Sequence, residues 1–357
     1  MSQNNFDLSN LALQCIAPNN ELLYDDVGKP SVMVKIPKMS YAELGVGSST
    51  NIHPAFIIDG VTKDYIWISK YQNCIINNRA YSLPARDPAA GTIDFDTAVA
   101  RCTAKGAGWH LMTRQEWALL ALWCKKNGFM PYGNNDYGKD TRESTRYAVP
   151  TYYNSGIARV ATGTGPLKWS HDGSPSGIWD LNGNVWEWVG GMRLVYGELQ
   201  VFADNNAAVV TADQSASSGS WKAIDATTGG LVTPNGSGTT ANSIKLDWNS
   251  SHWEWNNAFT GAKGAHDCDF EAVTCNANIA NAAKLVLQSL GLFKIDNTAS
   301  AYEGDHFWAN TSEAERCFIC GGTRADGVQS GVFALSGTNA RSYARWSVGF
   351  RSAYYAP

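Results

Sequence analysis

Residues 177 to 191 read GIWDLNGNVWEWVGG, and the interpretation of the whole chain turns on them. Asn182 and Asn184 stand on either side of Gly183, where their side chains can bond the backbone of a tight turn. Trp186 and Trp188 follow as large side chains able to pack. Upstream, Thr113-Arg-Gln-Glu116 is a capping box whose hydroxyl and carboxylate can satisfy the first free N–H groups of a helix. Trp117, Leu120, Ala121 and Cys124 then recur at i, i+3, i+4 and i+7, and Lys125, Lys126 and Gly128 close that helix. Ala98, Val99 and Cys102, stopped by Gly106, predict a second helix from about Phe95 to Lys105. Between Val32 and Ser82 the runs VMVKI, AFIIDGV and YIWISKY are β-branched and aromatic, broken by Pro, Gly and Asn as half-buried strands should be.

Downstream, residues from about Phe202 to Asn242 are rich in Ala, Thr, Ser, Gly and Asn, with Asn235-Gly236 as a turn. Their valines, Trp221 and the run SIKLDW alternate enough for hairpins, so the segment reads as an inserted β subregion. One more helix is expected from about Ala277 to Leu290, and the remainder to Pro357 reads as strands and turns. Trp186-Glu-Trp188 and Trp253-Glu-Trp255 look alike, but their neighbours do not, and no tandem repeat emerges.

Composition narrows the function. In 357 residues there are 28 Lys and Arg against 32 Asp and Glu, a net charge of -4, and only 17% charged residues. That leaves no broad basic field for a polyanion, so nucleic acid is not expected as a partner. Hydrophobic residues make up 44%, with 34 Gly, 14 Trp, 15 Tyr and 12 Phe, enough to bury a large core and incompatible with disorder. The start MSQNNFDLSN lacks the basic and apolar regions of a secretory signal, and no stretch approaches the ~18 apolar residues of a membrane span. The expectation is a soluble chain, not secreted by the usual signal, forming one large domain or two of ordinary size.

Three strings together carry a family likeness: GWHLMTRQEWALLALWCKKNG at 108 to 128, GIWDLNGNVWEWVGG at 177 to 191, and CGGTRADGVQSGVFALSGTNARSYARWSVGFRSAYY at 320 to 355. In combination they resemble the formylglycine-generating-enzyme (sulfatase-modifying factor) type of C-type lectin fold. The Gly331-Val-Phe-Ala-Leu335 string and the short ending after it are most similar to the variable proteins of diversity-generating retroelements, of the phage type. The resemblance implies an α+β fold of short twisted strands with two main helices, much irregular structure and an inserted β subregion. It divides the chain into an N-terminal segment, residues 1–30, and a lectin-like domain, residues 31–357, with an insertion at about 195–290 and a variable region at about 305–351.

In such proteins a reverse-transcribed template copy, mutated at adenines, rewrites the C-terminal segment, and the fold displays the altered side chains. The resemblance therefore implies a ligand-binding surface made of Thr323, Arg324, Ala325, Asp326, Val328, Gln329, Thr338, Asn339, Tyr343, Arg345, Trp346 and Ser347. All but Gln329 and Trp346 are reachable from a mutated AAC codon; those two need another codon or a fixed role. The residues themselves point the same way. Gly321, Gly322, Gly327, Gly331 and Gly349 permit tight turns, and Val332-Phe333-Ala334-Leu335 can anchor the segment in the core. Between these anchors there is no period of 2 or 3.6, as in a presented loop or in an ordinary polar loop closing the domain. Tyr343, Arg345, Arg324 and Trp346 are of the types enriched at binding hot spots.

Catalysis is the alternative to display. The formylglycine-type oxidases use cysteines just after the corresponding Gly-Gly, and here Thr323 to Leu335 contains none. Cys317 and Cys320 precede it and read as small residues on a buried strand, against a redox or zinc site. Cys268 and Cys275, near His266 and Asp267, read as a surface loop. The histidines at 53, 110, 171, 252, 266 and 306 include no H-x-x-x-H spacing, and His110 reads as a hydrogen-bonded structural residue. The resemblance also implies calcium held by the side chains of Asp180 and Glu187 and the carbonyls of Gly183 and Val185, hard ligands that suit that ion. The same turn has a structural role without metal, and no other cofactor is required. The sugar-chelating E-P-N and Q-P-D tripeptides are absent.

The resulting expectation is a non-enzymatic binding protein displaying a hypervariable surface, at a phage tail tip or as a prophage receptor-binding protein. Its partner would be a protein or glycan receptor on a target cell. It would have no membrane span, would form a homo-oligomer such as a trimer or attach to a phage tail, and would reside in the virion or, before assembly, the cytoplasm. An oxidase or other metal-dependent enzyme of the same fold, and a lectin or adhesin of fixed specificity, are the alternatives.

Overall fold

Thr113 Oγ1 accepts the Glu116 N–H at 3.2 Å while the Glu116 carboxylate accepts the Thr113 N–H at 2.9 Å, so the capping box closes in both directions. The helix it starts is Arg114–Lys126 in a computed structural model that describes residues 7–357. The first six residues of the N-terminal segment lie outside the described residues. Four α-helices are described: α1 (Leu8–Ile16), α2 (Phe95–Thr103), α3 (Arg114–Lys126) and α4 (Asn281–Ser289). With the many short strands they make a mixed α and β architecture. No described helix is long and apolar enough to cross a membrane.

A five-stranded antiparallel sheet runs in the order Asn20–Tyr24, Pro30–Pro37, Tyr65–Ser69, Ser352–Tyr354, Trp109–Leu111. The end of the chain is thus sandwiched between strands from its first third. A twelve-stranded sheet is centred on Trp186–Val195, the strand that carries the WEWV string. At Glu187 this strand is flanked on one side by Cys320, antiparallel, and on the other by Gly349, parallel. Both ends of the C-terminal segment are therefore pinned beside one residue.

The two faces of this sheet bury different clusters. On one, Trp188, Cys317, Ile319, Val348 and Phe350 pack under Phe95, Ala98 and Cys102 of α2. On the other, Val189, Leu194, Phe318, Cys320 and Leu335 join Trp117 and Leu120 of α3 in the main core. Residues 195–290 extend the same sheet: Leu199, Ile224, Leu246, Trp253 and Trp255, with Leu287 of α4, belong to that main core. The inserted β subregion is therefore built onto the framework.

Local expectations shift in three places. The helix expected from Ala277 starts at Asn281, because Ile279 N–H bonds back to Asn276 and closes a turn first. Residues 265–269 form a strand, Ala265–Asp269, paired to His306–Asn310, and Thr274–Cys275 pairs with Trp253–Asn256; the surface loop expected around Cys268 and Cys275 is absent because each segment meets a partner edge. α1, not foreseen, buries none of its side chains, although Leu8, Leu11, Ala12, Cys15 and Ile16 recur at i, i+3, i+4, i+7 and i+8.

Candidate ligand-binding face

The turn before the central strand is wound tightly: Asp180, Gly183 and Asn184 all have positive φ, and a Cβ at Gly183 would overlap Asn134 O. This curls the carbonyls of Asp180, Gly183 and Val185 toward one interior point, and Glu187 Oε1 joins them. The point is taken by Gln72 Nε2, which lies 3.2, 3.4, 3.1 and 3.0 Å from these four oxygens in that order. Glu187 also accepts two 2.6 Å bonds from the Arg351 guanidinium, with both residues buried. The side chain of Asp180 does not take part, contrary to expectation. Its Oδ2 accepts the Gly163 N–H at 3.0 Å, Oδ1 has no partner, and burial raises its pKa to about 6.

Backbone hydrogen bonding ties this turn to the C-terminal segment, Gly183 N–H donating to Gly321 O at 2.9 Å. Trp117 Nε1 donates to Val332 O at 2.8 Å and Asp305 Oδ2 accepts the Phe333 N–H at 2.7 Å, fixing the Val332-Phe333-Ala334-Leu335 anchor. Gly331 lies against the Asp305 carboxylate, which a Cβ there would overlap. The second loop is held by its own carbonyls: Arg341 O accepts from Phe95 N–H, Arg345 O from Gly91 and Ser347 O from Trp186. The Arg341 side chain ties it further, to Glu315 at 2.9 and 3.0 Å and to Asp96 at 2.8 Å. These anchors are mostly backbone groups and framework side chains, and they do not involve the side chains of Ala325, Val328 or Arg345.

Of the twelve expected surface residues, Ala325, Val328 and Arg345 are exposed, and Asp326, Gln329, Thr338, Tyr343, Trp346 and Ser347 are half-buried. Thr323, Arg324 and Asn339 are buried, which corrects the expectation that they stand on the surface. Thr323 closes a small turn, its N–H donating to Asp326 Oδ2 at 2.8 Å. Arg324 donates to Asn154 O at 3.0 Å and lies 4.2 Å over the Trp346 ring. Asn339 pairs with Cys317 across the sheet and donates to Ser336 Oγ at 3.2 Å. Burial raises the Asp326 pKa, against which a hydrogen bond from the Trp186 side chain acts.

The registers place Trp308, Ser336, Ile319 and Trp188 in one row across four strands, all on one face of the sheet. α2 roofs the Trp188 end, where Phe95 meets Trp188 edge-on at 5.9 Å. The other end has no such roof, and there Trp186 and Trp308, both half-buried, meet edge-to-face at 5.5 Å. His306 packs on Trp308 at 4.6 Å, and its ring nitrogens contact Asp267 at 2.8 Å and Asp269 at 2.9 Å. Thr338 continues this side of the sheet, its hydroxyl 2.9 Å from that of Ser336. Along one margin, Arg324, Trp346, Tyr152 and Arg159 form a stack of two neighbouring rings with a cation on either side. Beneath the other loop is a cavity of about 190 Å³, lined by Val328, Asn182, Arg142 and Asp305 among others.

Trp308, His306, Asp267, Asp269, Tyr152 and Arg159 belong to this face although the sequence motifs do not mark them as site residues. Alternation in HFWAN, residues 306 to 310, was the available signal. Cys317 and Cys320 lie in opposite clusters on either face of the sheet, and burial pushes their thiols up to about 12 and about 11. His110 is structural as expected, bridging Gly108 O and Glu116. Among the described residues no three His, Cys, Asp or Glu side chains are grouped to hold a metal.

No protein-family pattern matches the chain, and no curated protein does. Among solved structures, one titled "Major Tropism Determinant P3c Variant" is similar, with 11% identity over 90% of this chain and 62% of that one and a TM-score of 0.32. "Major Tropism Determinant U1 Variant" gives 11%, 90%, 62% and 0.30. PvdO from Pseudomonas aeruginosa gives 14% identity over 92% of this chain and 95% of that one, with a TM-score of 0.29. The chain thus spans less than two thirds of the first two, at 62% of their length. At these identities and scores the neighbours assign neither family nor function to the chain.

Proposed function

We propose that this chain is a non-catalytic ligand-binding protein whose binding surface is the unroofed sheet face of Trp186 and Trp308, ringed by the loops from Thr323 to Ser347. The observation that carries the reading is the division of labour in those loops: they are fixed by backbone carbonyls and by Arg341, Asp305 and Trp117, while the side chains of Ala325, Val328 and Arg345 are exposed and make none of these anchoring contacts. Half-buried tryptophans beside adaptable polar side chains are what recognition surfaces require. Together with the three sequence strings, this supports a retroelement-diversified receptor-binding protein of a phage tail tip or prophage, whose partner is a protein or glycan receptor on a target cell.

Sequencing the gene across many isolates of the source lineage tests this. Substitutions are expected to cluster at the codons of Ala325, Asp326, Val328, Gln329, Thr338, Tyr343, Arg345 and Ser347 and to spare Val332 to Leu335. A near-repeat of the final codons, differing at adenines, is expected nearby. Substitutions spread evenly along the gene would overturn the reading.

A further inference from the structure

We infer that Gln72 and Arg351 hold the 180–187 turn in the place of the calcium ion that the family resemblance implies, so that the turn and the face it supports are independent of divalent metal.

The orientation of Gln72 is set by a chain of contacts that starts from the backbone. The Val160 N–H donates to Asn184 Oδ1 at 2.9 Å, and Asn184 Nδ2 donates back to Val160 O at 3.2 Å. A peptide group has one donor and one acceptor of fixed identity, so the Asn184 amide can face it only one way round. The same Nδ2 then donates to Gln72 Oε1 at 2.8 Å, and this turns Gln72 Nε2 toward the four oxygens. Those oxygens lie 3.0 to 3.4 Å from Nε2. That is N–H···O spacing, well beyond the ~2.3–2.6 Å of calcium ligands. A metal bound by the same oxygens would have to occupy the position of Nε2.

Charge leads to the same result. Glu187 is the one carboxylate aimed at the turn, and both of its oxygens are taken by the Arg351 fork. The remaining guanidinium N–H groups reach Ser69 O at 3.1 Å, Trp179 O at 3.1 Å and Asp180 O at 3.4 Å. Arg351 therefore supplies the positive charge, and Arg351 and Gln72 together supply the convergent donors that a cation would otherwise provide. A divalent ion added beside it would meet a buried like charge with no second carboxylate to offset it, because the Asp180 side chain is turned to Gly163. The turn offers four oxygens, fewer than the ~6–8 that calcium takes.

Thermal unfolding of the full chain, after exhaustive dialysis against a chelator and again with millimolar calcium chloride, tests the assignment. The Tm is expected to be the same in both. A Tm that falls in chelator and recovers with calcium would overturn it. Gln72→Glu supplies the gain-of-function arm: a carboxylate now faces the oxygens, so this variant should melt below the wild type in chelator and rise by several degrees with calcium. Should Gln72→Glu fail to fold, tryptophan-sensitised terbium emission of the wild type still decides. No calcium-competed signal is expected from a turn so close to Trp186 and Trp188, and a stoichiometric one would overturn the assignment.

Discussion

Asp305 is a single carboxyl with a structural duty at the C-terminal segment, and its proton is what lets it sit there. It is buried, accepts the Phe333 N–H at 2.7 Å, and burial raises its pKa from 3.8 to about 8. The folded chain therefore keeps a proton that the unfolded chain releases above the ordinary aspartate range. The stabilisation is complete below pH 3.8 and is lost progressively as the pH rises toward about 8, beyond which this group adds no further slope. Asp305→Asn keeps the shape and the acceptor without the titration. Its urea midpoint should lie progressively above that of the wild type as the pH climbs through this window; a gap that stays constant with pH would contradict the account. Nothing in the string EGDHF distinguishes Asp305 from an exposed acid, because the groups that bury it come from Gly331 and Phe333. The burial of Arg324 and Asn339 is hidden from the sequence for the same reason: residue type reports polarity, whereas their partners Asn154 and Ser336 are supplied by the fold.

α3 is the element most fully legible in the chain, since both its cap and its periodicity are local. Its exposure was not legible. Ala118, Leu119 and Leu122 are buried as well as the predicted stripe, because the helix is enclosed on more than one side. The cap also does more than end a helix. Thr113 Oγ1 donates to Asn205 Oδ1 at 2.7 Å, and Asn205 Nδ2 donates to Glu116 at 3.0 Å, so the capping box is joined to the 206–208 turn. Thr113→Ala should therefore cost at least the ~1 kcal/mol of a lost N-cap, with a further ~1 kcal/mol or more for the orphaned buried acceptor. Chemical denaturation would register this as a lower midpoint with an unchanged slope. The strands at 265–269 and 274–275 escaped the reading because HDCD and TC have no alternation of their own. Their partners Trp308 and Trp255 define them.

On the scale of the whole molecule, the mixed architecture and the anchored C-terminal segment were legible because GIWDLNGNVWEWVGG and the final Gly-Phe-Arg lie together in space. Arg351 of one grips Glu187 of the other. What stayed hidden was the unroofed face, which depends on how far α2 reaches over the row from Trp188 to Trp308. The flanking of Glu187 by Cys320 and Gly349 has an outcome for populations of molecules. Adjacent strands lie ~4.8 Å apart, so the segment leaves and re-enters the sheet across a gap of about 10 Å, set before any of its side chains is chosen. Chains that differ only at Ala325, Val328 and Arg345 pay the same closure entropy. Their melting temperatures should fall in a narrow band, with Arg324→Ser, which removes a framework contact, lying below it. Scanning calorimetry of a small panel of such substitutions would show whether change at these positions is thermodynamically silent, written on a frame that does not register it.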